Sequence, residues 1–133
     1  MTTSALARKL LIKPGHRVVV MNAPAGYADL LMPLPEGAEL ADAPAEAVDV
    51  VQLFVRNSAQ LERNGPAAMR AMKPDGLLWI CYPKGGRKAG TDLHRDILWE
   101  LMGKQTGLVG VSLVAVDGKW SAMRFRAADK VGT

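Results

Sequence analysis

A single cysteine, Cys81, stands in a chain of 133 residues. No disulfide can form within such a chain, and the sequence suits a reducing compartment. The two histidines, His16 and His94, make no metal-ligand spacing with that one cysteine. No apolar run approaches the length of a membrane span. Arg8 and Lys9 interrupt the short apolar segment near the N-terminus, which leaves no signal-peptide core. The expected setting is the cytoplasm, without a membrane partner. Internal repeats and low-complexity segments are absent, and so is the GxxxxGK[ST] spacing of a P-loop.

What is present is an ordinary globular composition, 49% hydrophobic and 23% charged. A chain of this length can bury its own core. The net charge is +4. Its cations are scattered, with one local cluster at Lys84, Arg87 and Lys88. That is not a basic stripe, which argues against nucleic-acid binding.

The segment His16 to Tyr27, HRVVVMNAPAGY, organises the rest. A Val-rich run bounded by turn residues predicts a strand buried on both faces, over about Arg17 to Met21. Before it, Ser4 predicts the cap of a short helix with Leu6, Leu10 and Leu11 on one face. Lys13-Pro14-Gly15 predicts a turn. Tyr27 to Met32 predicts a helix ended by Pro33, and Ala38 to Ala41 a short strand.

Val48 to Val55 is a second strong strand. Asn57 or Ser58 caps the next helix, with Gln60 completing a capping box. Gly65-Pro66 is expected to break or kink that helix, which resumes to about Met72. Lys73-Pro74-Asp75-Gly76 is a second turn, and Leu77 to Tyr82 a third strong strand. Thr91 is expected to cap the longest helix, about Asp92 to Lys104, whose stripe is Leu93, Ile97, Leu98, Leu101 and Met102. Gly107 stops it. Val109 to Val116 and Lys119 to Phe125 form a hairpin about Asp117-Gly118, adding one antiparallel edge strand. Strands alternating with helices predict an α/β domain with a mostly parallel sheet.

This order resembles the Rossmann-like fold of class I S-adenosylmethionine-dependent methyltransferases, in a shortened form. The resemblance rests on Ile12 to Val18 before the first strand, Val48-Asp49-Val50-Val51, and Met72 to Leu78, which looks like the "LKPGG" turn of that superfamily. The chain also resembles a family of small bacterial proteins of unknown function. That likeness lies in Met72 to Trp79 with Pro83-Lys84, Thr91-Asp92-Leu93, and Val116-Asp117 with Trp120-Ser121. The resemblance implies a three-layer domain over residues 1–126, with a tail over 127–133 that frays.

It also implies a cofactor loop, and here the chain departs from the pattern. Laid over "VLDLGCGTG", Val18 to Gly26 has Val20 for the acid and Asn22 and Pro24 for two glycines; only Gly26 survives. Pro24 offers no N–H and fills space that glycine would leave open. Glu39 or Asp42 would stand for the acid that holds the ribose hydroxyls. A third strand and its helix are missing from the pattern.

Two site candidates follow. Asn22, Ala23, Gly26 and Tyr27 lie at the carboxyl end of a central strand, where such sheets bind ligands. The alternative is a tight turn with Asn22 chosen for its tolerance of the left-handed region. Lys84, Gly85, Gly86, Arg87, Lys88 and Thr91 combine cations, glycines and a helix start, a candidate anion site. The alternative there is a solvated loop. Cys81 with His94 as nucleophile and base is disfavoured because Cys81 lies in an apolar strand. Trp79 is expected in the core, Trp99 exposed or in an interface, and Trp120 covering a sheet edge.

Three readings stand. The first is a methyltransferase-like domain without methyltransferase activity that binds a small anionic ligand or a protein partner. The second is an active S-adenosylmethionine-dependent methyltransferase with an atypical cofactor loop. The third is a homodimeric interaction module built on a sheet edge that the missing strand uncovers.

Overall fold

The structure is a computed structural model that describes residues 3–41 and 47–127. Asp42 and the expected frayed tail after Ala127 lie outside the described residues. In chain order the elements are α1 (Ala5–Lys9), β1 (Arg17–Met21), α2 (Tyr27–Leu31), β2 (Glu39–Ala41), β3 (Val48–Phe54), α3 (Ser58–Ala71), β4 (Met72–Pro83), a 3-10 turn (Gly86–Ala89), α4 (Arg95–Thr106), β5 (Leu108–Ala115) and β6 (Trp120–Ala127).

The six strands form one sheet in the order β2-β1-β3-β4-β6-β5. β2, β1, β3 and β4 are mutually parallel, and β6 runs antiparallel to both of its neighbours. The hairpin therefore does not add an antiparallel edge strand. β6 inserts between β4 and β5, and β5 becomes the edge. Leu78, Ile80, Met123 and Phe125 are all buried in one core, so β4 and β6 gain more from pairing with each other than β5 would at that position.

Two apolar layers close over the sheet. Leu6 and Ala7 of α1, Leu10 just after it, and Tyr27 and Leu31 of α2 pack on Val18, Val50, Phe54, Trp79 and Cys81. Leu61, Ala68 and Ala71 of α3 and Leu98 and Met102 of α4 pack on Val19, Val51, Leu53, Leu78 and Ile80 of the other face. β1 thus leaves towards β2 over one face, and β3 towards β4 over the other. The strand order reverses between β1 and β3, and the crevice outside their carboxyl ends is where such a sheet presents a site.

Local signals behave as the chemistry dictates. Ser4 Oγ accepts from Ala7 N at 3.0 Å and caps α1. Leu11 leaves the buried face, however, because the chain turns there with φ 62° and exposes it. Gly15 takes φ 78° in the Pro14-Gly15 turn. Asn57 Oδ1 accepts from Gln60 N at 2.9 Å, while Gln60 Oε1 accepts from Arg56 N at 2.8 Å.

The expected break in α3, the expected Thr91 cap and the expected turn at Lys73 to Gly76 come out differently. α3 runs through Gly65-Pro66 as one helix and, among the described residues, is the longest. Gly65 leaves room for Gln105 and Met102 of α4, so the α3–α4 packing supports the turn that Pro66 weakens. Thr91 does not cap α4. It is buried and its Oγ1 accepts from Leu93 N at 3.0 Å, so the chain turns once more and His94 becomes the cap residue. Lys73 to Gly76 is held within β4 as an outward excursion, between the Val48–Met72 and Val50–Leu77 pairs.

Candidate functional site

Two crevices open at the carboxyl ends of the parallel strands. The first, about 230 Å³, lies between the ends of β1 and β2. Val20, Ala23, Pro24, Gly26, Tyr27, Ala28, Leu40 and Ala41 line it. The loop that shapes it has two left-handed residues, Asn22 at φ 59° and Gly26 at φ 84°. Asparagine tolerates that region better than other side chains. Asn22 is exposed and does not line the crevice.

Tyr27 is turned inward. Its ring packs edge-on against Phe54 at 4.6 Å, and its hydroxyl donates to Gln52 Oε1. Burial, with lesser contributions from Cys81 and Asp117, pushes its ionisation far above the usual phenol range. Gln52 is fully buried and its Nε2 has no partner among the described residues. Glu39 pairs with Arg17 at the amino end of β1, at the opposite end of the sheet from the loop.

The second crevice, about 350 Å³, lies outside β3, β4 and the β5–β6 turn. Arg56, Pro83, Lys84, Ala89, Gly90, Gly118, Lys119 and Trp120 line it. Arg56 leaves the end of β3 and lays its guanidinium over the Trp120 ring, 5.3 Å from the centroid. That contact fixes a long cation at a defined place. Lys84 N donates to Lys119 O at 2.9 Å, which joins the end of β4 to the hairpin turn. Asp117 Oδ1 accepts from Lys119 N at 2.7 Å and Trp120 N at 2.9 Å and so shapes the turn. Among the described residues, no carboxylate lies within ion-pair distance of Arg56, Lys84 or Lys119.

The residues expected to form an anion site are divided. Lys84 lines the second crevice. Lys84 also joins Gly85 and Gly86 in an adjoining hollow lined by Tyr82, His94 and Arg95. Arg87 and Lys88 are exposed and line neither, and Thr91 faces inward. Sequence reasoning assigned neither Arg56 nor Lys119 to the anion site. The signal was available in the strand order: a hairpin whose return strand inserts beside β4 puts its turn at the carboxyl end of the sheet.

The remaining candidates separate. Cys81 is sealed beneath α1 and α2, and burial raises its thiol well above the usual range. His94 is exposed at the start of α4, on the opposite side of the sheet. The two do not meet. Among the described residues, no cluster of His, Cys, Asp and Glu could hold a metal ion. Trp79 is in the core, donating to Leu10 O at 3.0 Å, and Trp99 is exposed. Trp120 is buried on an interior strand and covers no sheet edge.

No family model matches the chain, and no curated protein matches it. Solved structures do. A fibrillarin pre-rRNA processing protein from Methanococcus jannaschii aligns over 87% of this chain and 68% of its own, at TM-score 0.57 and 16% identity. Several of the other matching structures are methyltransferases or methylases. The chain has the Rossmann-like methyltransferase fold. A ribosomal protein L11 methylase from Lactobacillus delbrueckii subsp. bulgaricus aligns over 92% of this chain and 74% of its own, at TM-score 0.58 and 10% identity. A TehB-like SAM-dependent methyltransferase from Corynebacterium glutamicum covers 93% and 88%, at TM-score 0.53 and 13% identity.

That fold implies S-adenosylmethionine in the first crevice. The described lining residues do not fit it. They are apolar apart from Tyr27, whose hydroxyl is committed to Gln52. No described side chain there can pair with the cofactor's ammonium and carboxylate groups or hold its ribose hydroxyls, and Pro24 removes a backbone donor.

Proposed function

We propose that this methyltransferase-like domain binds a small phosphate-bearing ligand between Arg56, Lys84 and Lys119 and does not transfer methyl groups. One observation carries the reading: three cations line a crevice at the carboxyl end of the sheet with no described carboxylate within ion-pair distance of them. Like charges gathered this way repel one another, and a polyanion relieves that repulsion. Charge also discriminates between ligands. S-adenosylmethionine carries a sulfonium cation and gains little from three more positive groups, whereas phosphate esters gain from each. The apolar lining beside Pro24 supports the loss of the cofactor in the same direction.

A thermal-shift titration with S-adenosylmethionine, S-adenosylhomocysteine, inorganic pyrophosphate and nucleotides tests the proposal. A ligand at a hundred times its dissociation constant adds about 2.7 kcal/mol, enough to raise the midpoint by several degrees. The expected result is a shift with the phosphate compounds alone. A shift with the S-adenosyl compounds alone contradicts it.

A further inference from the structure

A hollow of about 240 Å³ adjoins the Arg56 crevice on the α4 side of the sheet. Pro83 and Lys84 line both spaces, so the two are neighbours at the end of β4. Tyr82 and Ser121 are Cα partners on β4 and β6, and both line this hollow. Directly opposed residues of an antiparallel pair face the same way. Tyr82 is only 6% exposed, yet its hydroxyl has no hydrogen-bond partner among the described residues. A buried phenol normally spends its O–H on a partner. The charges of Arg95 and Asp96 act on this hydroxyl from the first turn of α4, which sets it beside the start of that helix. Burial raises its ionisation above the usual phenol range, so it stays a donor through neutral pH.

The start of α4 has free donors of its own. His94 is the cap residue, and its side chain makes no capping bond. The N–H groups of Arg95, Asp96 and Ile97 have no acceptor among the described residues. Asp96 is bonded to Arg95 at 3.4 Å, and no carboxylate is among the described residues that line the hollow. We infer that the hollow receives a second anionic group of the ligand proposed for the Arg56 crevice, so that this ligand is elongated and carries phosphate at both ends. The inference rests on that reading. Arg56 and Lys119 meet one end with charge, the Tyr82 and Ser121 hydroxyls and the α4 amides meet the other with neutral donors, and Lys84 borders both. A phosphate seated there also satisfies the open amides of the helix.

Calorimetric titration of the full chain at low salt with inorganic pyrophosphate and with linear tetraphosphate tests this. Pyrophosphate is short enough to stay in the Arg56 crevice, whereas tetraphosphate reaches the hollow. Tyr82→Phe is expected to weaken tetraphosphate about tenfold, the loss for one hydrogen bond to a charged group, and to leave pyrophosphate unchanged. Its thermal midpoint without ligand should match that of the natural protein, because no bond within the protein is lost. Ser121→Ala is the second variant and acts in the same direction. If Arg56→Ala weakens both probes while Tyr82→Phe and Ser121→Ala weaken neither, the inference falls and the Arg56 crevice stands. If Arg56→Ala affects neither probe, both fall. Equal weakening of the two probes by Tyr82→Phe, or a lowered midpoint without ligand, also overturns the inference.

Discussion

At the scale of single residues, the buried Tyr27–Gln52 bond matters most. A tyrosine beside the loop after β1 looks available for a ligand, yet its hydroxyl is used inside the core. Removing one partner of a buried hydrogen bond leaves the other unsatisfied and costs about 1–3 kcal/mol, whereas replacing both with apolar groups is nearly neutral. Tyr27→Phe is therefore expected to lower stability by about that amount in denaturant titration. Adding Gln52→Met to it should recover most of the loss. If the double variant is as unstable as the sum of its parts, the pair does not act as a unit.

Asp92 gives a prediction in pH. Its carboxylate accepts from Ser58 Oγ at 2.5 Å and Ser58 N at 2.9 Å, tying the segment before α4 to the first turn of α3. The Ser58 hydroxyl bond, then the Ser58 amide bond, hold its pKa below the usual carboxylate range. A depressed folded pKa means that the contribution is complete above the unfolded value of about 3.9 and fades as pH falls through the folded one. Asp92→Ala should cost about 1 kcal/mol or less at neutral pH, since the group is exposed and Asn57 still caps the helix. As pH falls through the lowered folded pKa, the variant and the natural protein should converge in denaturant midpoint. A gap that persists in acid would contradict the assignment.

At the scale of elements, the chain places its helices and strands by local chemistry, and the misplacements have local causes. Val-rich runs, proline-glycine turns and the Asn57 cap act within a few residues, so β1, β3, the core of β4 and the start of α3 are legible from the sequence. α4 begins three residues after Asp92 because Thr91 spends its hydroxyl on Leu93 N, one of several equivalent uses open to a threonine. Pro66 is absorbed by packing between α3 and α4, which no local pattern reveals. The Lys73–Gly76 excursion is legible as a turn but not as part of a strand. It needs Gly76: a Cβ there would lie 2.8 Å from Met72 Cγ and 3.0 Å from the backbone oxygen of Asp49. Gly76→Ala should therefore cost about 1–3 kcal/mol and lower the thermal midpoint by several degrees. An unchanged midpoint would mean that the excursion shifts freely.

At the scale of the whole molecule, the site is set by topology more than by any motif. Arg56 and Lys119 lie 63 positions apart by their residue numbers and meet only because β6 inserts beside β4 and carries its turn to the carboxyl end of the sheet. The cluster Lys84 to Lys88 is conspicuous in the sequence, but only Lys84 faces that crevice. The fold is that of the methyltransferases, while the crevice beside the loop that would serve their cofactor has apolar described side chains apart from Tyr27, whose hydroxyl is bonded to Gln52. The two halves of the carboxyl end thus differ in chemistry, one neutral and one cationic.

The most direct test is calorimetric titration of pyrophosphate into the natural protein and into Arg56→Ala at low salt. The account predicts saturable binding to the first and at least tenfold weaker binding to the second, because a charge-assisted bond is worth about 1.5–3 kcal/mol. It also predicts no heat of binding with S-adenosylmethionine. Equal affinity for pyrophosphate in both proteins, or saturable binding of S-adenosylmethionine that Arg56→Ala leaves intact, would contradict it.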